Sequence, residues 1–139
     1  MGTNYYLVED ACPHCGHGRE LHIGKSSLGW VFALHVIPEE GLNTLGDWRL
    51  RFNKPNSYIK DEYGDRLTKR EMLKTIIERK GTNDFGEFPD SLKRFGYQSW
   101  EDFHTSNHSV PGPNGLLRSK YADVVPGEGT WDYHKGDFS

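Results

Sequence analysis

The two cysteines of the chain, Cys12 and Cys15, form a C-x-x-C pair that is followed directly by Gly16. Two thiolates at this spacing can grip one zinc ion from a single turn, and the glycine lets the backbone close around the sulfurs. A structural zinc site takes four ligands, and the sequence has no further cysteine. Histidines are therefore needed to complete the tetrahedron, and we predict one structural zinc ion per chain.

Two pairs of histidines are candidates for the remaining ligands. His22 and His35 follow the cysteine pair closely and fall on a predicted β-hairpin over 20–36. His104 and His108 have the H-x-x-x-H spacing of zinc fingers but lie far downstream, so the fold would have to return to the cysteines. A mixed set, with His108 and one hairpin histidine, is a third arrangement. The predicted ligands are Cys12, Cys15, His22 and His35.

Alternation along the predicted hairpin favours the first pair. With a short turn at 27–28, Ile23 lies opposite Phe32, so that one face of the hairpin is apolar. The same register makes His22 and His35 diagonal neighbours on the other face, within reach of one ligand. A slip by one residue would lose both properties together.

Two weaker patterns lie nearby. A redox function for the cysteine pair would need a βαβ context, which the sequence does not predict. The segment GKSS at 24–27 is similar to the end of a phosphate-binding loop, but Arg19 stands where that motif requires glycine. Lys25 remains available as a cation for an anionic ligand. Arg118 follows a loop rich in glycine and proline, which we interpret as an ordered connection rather than a ligand site.

A nuclease is the alternative function. The segment HVIP begins at His35 and follows the cysteine pair, as a His-x-x-Pro segment does in HNH-type nucleases. In such a nuclease His35 would be the general base for water, with a metal ion held by a second histidine stabilising the scissile phosphate. Leu34 stands where an acidic residue is expected, however, and no second cysteine pair is present. The sequence thus favours binding over catalysis, with no residue predicted as catalytic.

Composition limits the classes of partner. The chain has 139 residues, with 17 Lys and Arg against 20 Asp and Glu, and a formal net charge of −3. This balance disfavours nonspecific binding to duplex nucleic acid, although a local basic patch would still permit a nucleic-acid partner. No apolar run approaches the roughly 18 residues of a membrane span, and the first residues do not form a signal peptide. We expect a cytosolic protein without membrane contact.

The elements that position these residues are short. We predict an α+β fold with a small, mostly antiparallel sheet, an N-terminal zinc knuckle and two to four short helices. Strands are expected at 3–8 and 130–134, and hairpins at 20–36 and 58–68. Helices are expected at 44–53, 68–80 and 89–95 and after Ser99. The whole chain, 1–139, is predicted to be one domain: a knuckle and hairpin at 1–37, a helical part at 44–104 and a Gly/Pro-rich part at 109–139.

The helix at 68–80 has the clearest pattern. Thr68 and Glu71 form a predicted capping box at its start, and Gly81 is expected to end it. The apolar residues at helical spacing predict a buried stripe. That stripe consists of Met72, Leu73, Ile76 and Ile77.

Several segments together resemble a family of small proteins from tailed bacteriophages and prophages. They are GTNYY at 2–6, CPHCG at 12–16, LHIGKSS at 21–27, GPNGLLR at 112–118 and GEGTWD at 127–132. The resemblance covers nearly the whole chain and implies a setting, a viral accessory protein in the cytosol of a bacterial host, rather than an activity. Such proteins often bind host components, including defence systems. We therefore expect a zinc-stabilised accessory protein that binds a host macromolecule, most readily a protein, in host takeover or against host defence.

Overall fold

A seven-stranded sheet forms the centre of the protein. The computed structural model describes residues 2–27, 30–78, 88, 90–106, 109–111, 117–119, 123–136 and 138. The strands are β1 (Gly2–Glu9), β2 (Arg19–Ser27), β3 (Phe32–Val36), β4 (Tyr58–Asp61), β5 (Arg66–Leu67), β6 (Ser109–Pro111), β7 (Leu117–Ser119), β8 (Val124–Pro126) and β9 (Trp131–Lys135). The large sheet has the order β5-β4-β1-β2-β3-β9-β8, and β6 pairs with β7 in a second, two-stranded sheet.

All neighbouring strands of the large sheet are antiparallel except β3 and β9, which run parallel. The helices are α1 (Leu45–Arg51), α2 (Lys69–Glu78), α3 (Asp90–Arg94) and α4 (Trp100–Ser106), and a 3-10 turn spans Pro38–Glu40. The predicted α+β class is confirmed, and the large sheet is mixed, with one parallel pair among antiparallel ones. The parallel pair adds a late strand, β9, beside β3 at the edge of the early strands.

One face of the sheet carries the hydrophobic core. Alternating side chains of the central strands, such as Ile23 and Phe32, are fully buried there. Helices α1 and α2 cover this face with Trp48, Met72 and Ile76, each 0% exposed. Burial of an aliphatic side chain of this size contributes roughly 1.5–3 kcal/mol, so these helices are held by packing more than by propensity.

Local capping signals position both of these helices. Thr44 Oγ1 accepts from the Asp47 backbone N–H at 3.2 Å, and the Asp47 carboxylate accepts from the Thr44 N–H in return. The predicted box at α2 is also present, with Glu71 Oε1 accepting from the Thr68 N–H at 2.9 Å. The predicted stripe of α2 is wrong at one position, because Ile77 is 39% exposed. The predicted end of α2 lies outside the described residues.

The register between β2 and β3 differs from the predicted one. Gly24 pairs with Leu34 and Lys25 with Ala33, so the predicted pairing of Ile23 with its partner on β3 is wrong. The physical reason is the length of the connection, because β2 continues to Ser27 and β3 begins only at Phe32. A longer loop allows a register that a tight two-residue turn forbids.

A β-bulge in β2 restores the side-chain pattern. Tyr5 pairs with Gly24 but Tyr6 pairs with His22, which leaves Ile23 as an extra residue on β2. Ile23 and Gly24 are consequently both buried on the core side, while His22 stays half-buried on the opposite side. The bulge therefore aims His22 at the face that the core does not use.

Gly24 is required where β3 approaches the bulge. A Cβ atom at this position would lie 2.2 Å from the carbonyl oxygen of Ala33 and 2.6 Å from a ring carbon of Phe32. No side chain fits at such distances without moving the backbone of β3. The glycine thus sets the spacing between the two strands that carry His22 and His35.

Candidate functional site

Three histidines from three adjacent strands meet on the sheet face opposite the core. His22 lies on β2, His35 on β3 and His134 on β9, and these strands are neighbours in that order. His35 and His134 are direct partners in the parallel pair. All three side chains are half-buried. We call this group, His22, His35 and His134, the histidine cradle.

A chain of hydrogen bonds orients two members of the cradle. His22 Nε2 lies 2.8 Å from Asn4 Oδ1, and His22 Nδ1 lies 3.1 Å from His35 Nδ1. The amide oxygen can only accept, so His22 Nε2 carries a proton. When His22 is neutral its Nδ1 is the acceptor, and the His35 Nδ1–H is the donor. This tautomer leaves a lone pair on His35 Nε2.

An aromatic ring occupies the centre of the cradle. The ring of Phe138 stacks on His134 with centroids 4.3 Å apart and an angle of 23°. It also makes edge-on contacts with His22 and His35, at 4.7 and 4.9 Å. The same site thus supports one stacked and two edge-on ring contacts, geometries that are favourable for aromatic pairs.

The cradle was only partly visible in the sequence. Alternation identified His22 and His35 as neighbours, and the structure brings them into direct contact. His134 and Phe138 were missed because their placement depends on the parallel pairing of β3 with β9, which no local pattern encodes. The only available signal was a histidine within the predicted last strand.

A cleft of about 180 Å³ adjoins the cradle. His134 belongs to both, the Phe138 ring in the cradle also lines the cleft, and the cleft extends over Ala33 toward Lys25 and Ser27. Its walls are largely apolar. The Lys25 ammonium group and the Ser27 hydroxyl lie together at one side of it. On the other side of the cradle, His134 Nε2 lies 3.4 Å from an Asp123 carboxylate oxygen.

The cysteine turn lies at the far end of the β1–β2 hairpin. The Gly16 N–H donates to the Cys12 carbonyl at 2.8 Å, and the Cys12 N–H donates to the His17 carbonyl at 2.8 Å. Gly16 has a φ of 75°, the left-handed conformation that glycine adopts without strain. Backbone N–H groups of Cys15 and His14, together with the Cys15 side chain, lower the pKa of the Cys12 thiol. The turn favours the thiolate, the form that binds metal.

A polar cleft borders this turn. It has a volume of about 460 Å³ and is lined by the turn itself, by 56–58 and by Arg66. Tyr58 donates its hydroxyl hydrogen to the Gly16 carbonyl at 2.8 Å, and the Arg66 guanidinium lies 3.8 Å from the centroid of the Tyr58 ring. The arrangement places a positive charge beside the cysteine turn.

The structure places the predicted zinc ligands as two separate pairs. Glu9 pairs with Arg19 next to the turn, whereas His22 pairs with Tyr6, three positions further along β1. The Glu9–Arg19 and Tyr6–His22 pairs are therefore about 10 Å apart along the strands. Within the described ranges, no three His, Cys, Asp or Glu residues are grouped so as to hold a metal ion. The zinc site stays a prediction, and so does its knuckle.

The alternative histidine pair also stays a prediction. His104 lies on α4. His108 lies outside the described residues.

A buried carboxylate clamps the hairpin and α1 together. Glu9 is 0% exposed, accepting from Arg51 Nε at 2.7 Å and from Arg19 at 2.9 Å. Arg51 is the main cause that lowers the pKa of Glu9, and Arg19 is the main cause that lowers the pKa of Glu40 to about 2. This network is structural, since each carboxylate is matched by guanidinium groups.

Arg118 serves a structural role as well. Its side chain is 7% exposed and pairs with Asp132, while Nη1 donates to the Trp131 carbonyl at 3.1 Å. Burial raises the pKa of Asp132, against the opposing effect of Arg118. The loop before Arg118, at 112–116, lies outside the described residues, so its interpretation as an ordered connection stays a prediction.

The chain matches no protein-family model, no curated protein and no solved structure. Each helix in the described part of the chain is too short or too polar to cross a membrane. The site must therefore be interpreted from its own geometry.

Proposed function

We propose that the protein is a zinc-stabilised phage accessory protein that binds a host protein through the histidine cradle, in host takeover or against host defence. The observation that carries the binding site is the ring of Phe138 among three imidazoles. A pocket that accommodates a phenylalanine ring of its own chain has the shape and chemistry to accommodate an aromatic side chain of a partner. The phage setting and the host cytosol rest on the sequence resemblance.

Aromatic anchors suit such a site energetically. Aromatic residues are enriched among the few interface residues that dominate binding, usually in well-desolvated pockets. Each favourable ring pair contributes about 0.5–1.5 kcal/mol beyond the burial of its area. The three ring contacts of Phe138 give the scale of what a partner's ring would gain.

The adjoining cleft indicates what the partner carries beside its aromatic residue. Lys25 lines the cleft on the side away from Asp123. An ammonium group at the edge of an apolar groove attracts an acidic side chain and steers its approach. We therefore expect a partner segment with an aromatic residue close to an acidic one.

Zinc contributes stability in this proposal. The Cys12 turn joins β1 to β2, the two strands that carry Asn4 and His22. Metal binding to a folded turn adds directly to the folding free energy. A metal-bound turn would hold the register on which the cradle depends.

The test uses short peptides that differ only in one residue. Phe138→Ala empties the cradle, and a peptide with Phe or Trp beside an acidic residue is titrated while the histidine ring signals are followed by NMR. The variant should bind the aromatic peptide at least several-fold more tightly than the wild type, since the intrachain ring no longer competes. A peptide with Ala in place of the aromatic residue should not shift these signals.

Matched variants make the outcome specific. Tyr63→Ala removes another aromatic side chain, which is 73% exposed, and should leave binding at the wild-type level. His35→Ala in the Phe138→Ala background should weaken binding. If the histidine signals do not respond to the aromatic peptide in the emptied cradle, the proposed site is wrong.

A metal-dependent nuclease or phosphodiesterase is the second candidate, favoured by the chain from Asn4 through His22 to His35. A base held by a second group in one tautomer is the usual arrangement of a general base. His35 Nε2 would take a proton from water or a hydroxyl, and Lys25 in the adjoining cleft would attract the phosphate.

The enzyme candidate has its own assay. DNA, RNA and cyclic dinucleotides are incubated with the protein and Mg²⁺ or Mn²⁺. Cleavage that His35→Ala removes and the exposed-site control His17→Ala retains would support catalysis. Absence of cleavage on all three substrates would leave binding as the function.

A further inference from the structure

We propose that the zinc ion is shared between two copies of this chain, each contributing Cys12 and Cys15 to one tetrahedral site with four sulfur ligands. This inference rests on the zinc-binding part of the proposed function. The two ligands predicted to be histidines of the same chain would instead be the two cysteines of a second copy.

The orientation of the turn carries the first step. Cys15 is exposed and Cys12 is half-exposed, in the loop that follows the last pair of the β1–β2 ladder, Glu9 with Arg19. The turn supplies two sulfurs, and tetrahedral zinc takes four ligands. Because Cys15 is exposed, a second copy of the same turn can reach the ion and fill the two remaining coordination positions.

The two hairpin histidines predicted as ligands, His22 and His35, already contact each other. His22 bonds to Asn4 and to His35, and it lies three ladder positions from the turn. Bringing His22 to the cysteines would break the bond to Asn4, which is only 7% exposed, and would leave a buried amide without its partner. A second turn supplies ligands without disturbing this arrangement.

Charge supports a site made of four thiolates. Zinc with four thiolates carries a net charge of about −2, which needs nearby positive groups. Arg66 lies beside the turn, so that a Cβ at Gly16 would be only 3.5 Å from its Nη2 atom, and its guanidinium stacks on Tyr58. Two copies bring two such guanidinium groups.

The experiment measures metal content and mass on the full chain. Elemental analysis should give one zinc per two chains, and light scattering should give a dimer that becomes a monomer when a chelator removes the metal. Replacement of zinc by Co²⁺ gives an absorption spectrum that separates four sulfur ligands from two sulfurs and two nitrogens. Cys12→Ser should abolish both metal binding and dimerisation, and chelation of the wild type gives the same comparison without changing the turn.

His22→Ala separates the two ligand sets. The shared site predicts that this variant keeps its zinc and its dimer, whereas a site within one chain predicts loss of the metal. One zinc per monomer with a mixed sulfur–nitrogen spectrum would overturn the sharing while leaving zinc in place. A protein without zinc would overturn the metal site altogether. Peptide binding by the cradle is measured independently and separates these failures from failure of the binding function.

Discussion

The Nδ1 atoms of His22 and His35 lie 3.1 Å apart, across two strands whose register differs from the one that alternation predicts. The contact survives because the bulge at Ile23 shifts His22 along the strand without turning it to the other face. A bond between two imidazole nitrogens requires one to be protonated and the other not. The pair therefore has a defined direction, which the amide of Asn4 fixes.

Asn4→Ala tests this directional role. Removal of the amide leaves His22 without its acceptor, so the tautomer and ring orientation are no longer fixed. We expect the free energy of unfolding to fall by about 1–3 kcal/mol and peptide binding in the emptied cradle to weaken. Chemical denaturation and NMR titration measure the two effects. Asn43→Ala, at an exposed position, is the control. Unchanged histidine ring signals in Asn4→Ala would contradict the orienting role.

Gly24→Ala tests the spacing of β2 and β3. The new methyl group would lie 2.2 Å from the Ala33 carbonyl oxygen. We expect a loss of about 1–3 kcal/mol in unfolding free energy, because the backbone must move to relieve the overlap. Gly46→Ala is the matched control, since a Cβ there meets only Thr44 Oγ1 at 3.5 Å. Gly46 lies in α1, where alanine should stabilise by about 0.5 kcal/mol. Equal effects at the two glycines would contradict the steric argument.

Acid should destabilise the protein through Glu9 and Glu40. Both carboxylates have a pKa below the ordinary value of 4.5 when the protein is folded. Their stabilising contribution is complete above about pH 5 and is lost as the pH falls toward the folded pKa values, about 2 for Glu40. Unfolding free energies measured from pH 7 down to low pH should show this decline.

Glu9→Gln isolates the buried carboxylate in that measurement. At neutral pH the variant should lose about 3 kcal/mol, because Arg51 loses its buried charged partner, Glu9, which is 0% exposed, and keeps only Glu40. Its stability should then vary less between pH 5 and low pH than that of the wild type. Glu39→Gln, at an exposed position, provides the comparison. An acid dependence in Glu9→Gln equal to that of the wild type would contradict the assignment.

The buried pair of Arg118 and Asp132 gives a double-variant prediction. Arg118→Met leaves Asp132 as an uncompensated buried charge and should cost about 3–5 kcal/mol. Adding Asp132→Leu removes that charge and should recover part of the loss, with the unpaired Trp131 carbonyl limiting the recovery. Thermal or chemical unfolding of Arg118→Met, of Asp132→Leu alone and of the double variant measures the coupling. A double variant no more stable than Arg118→Met would contradict the argument.

Local signals in the sequence predicted local structure. The capping box at Thr68 was predicted correctly because all its atoms lie within one helical turn. The register between β2 and β3 was not predicted correctly, because the length of the connecting loop and the bulge at Ile23 determine it together. Neither is encoded by alternation alone.

The site was predictable to the same extent. His22 and His35 are close in sequence and were paired correctly, although by a register that is wrong. His134 joins them only because β9 pairs in parallel with β3, across a long stretch of chain. Local sequence patterns do not encode which distant strands pair with each other. The separation of the cysteine turn from the cradle has the same origin, since it depends on where along β1 each residue pairs.

The presence of Phe138 in the cradle has a quantitative consequence for any partner. A ring tethered to the same chain competes at an effective concentration that, for a short flexible connection, is on the order of millimolar. If the tethered ring fills the cradle about ten times as often as it leaves it empty, the apparent dissociation constant of a partner rises about tenfold. The protein would then select among partner segments by affinity. Only a segment whose additional contacts, such as one with Lys25, make its binding stronger than that of the Phe138 ring would displace the ring.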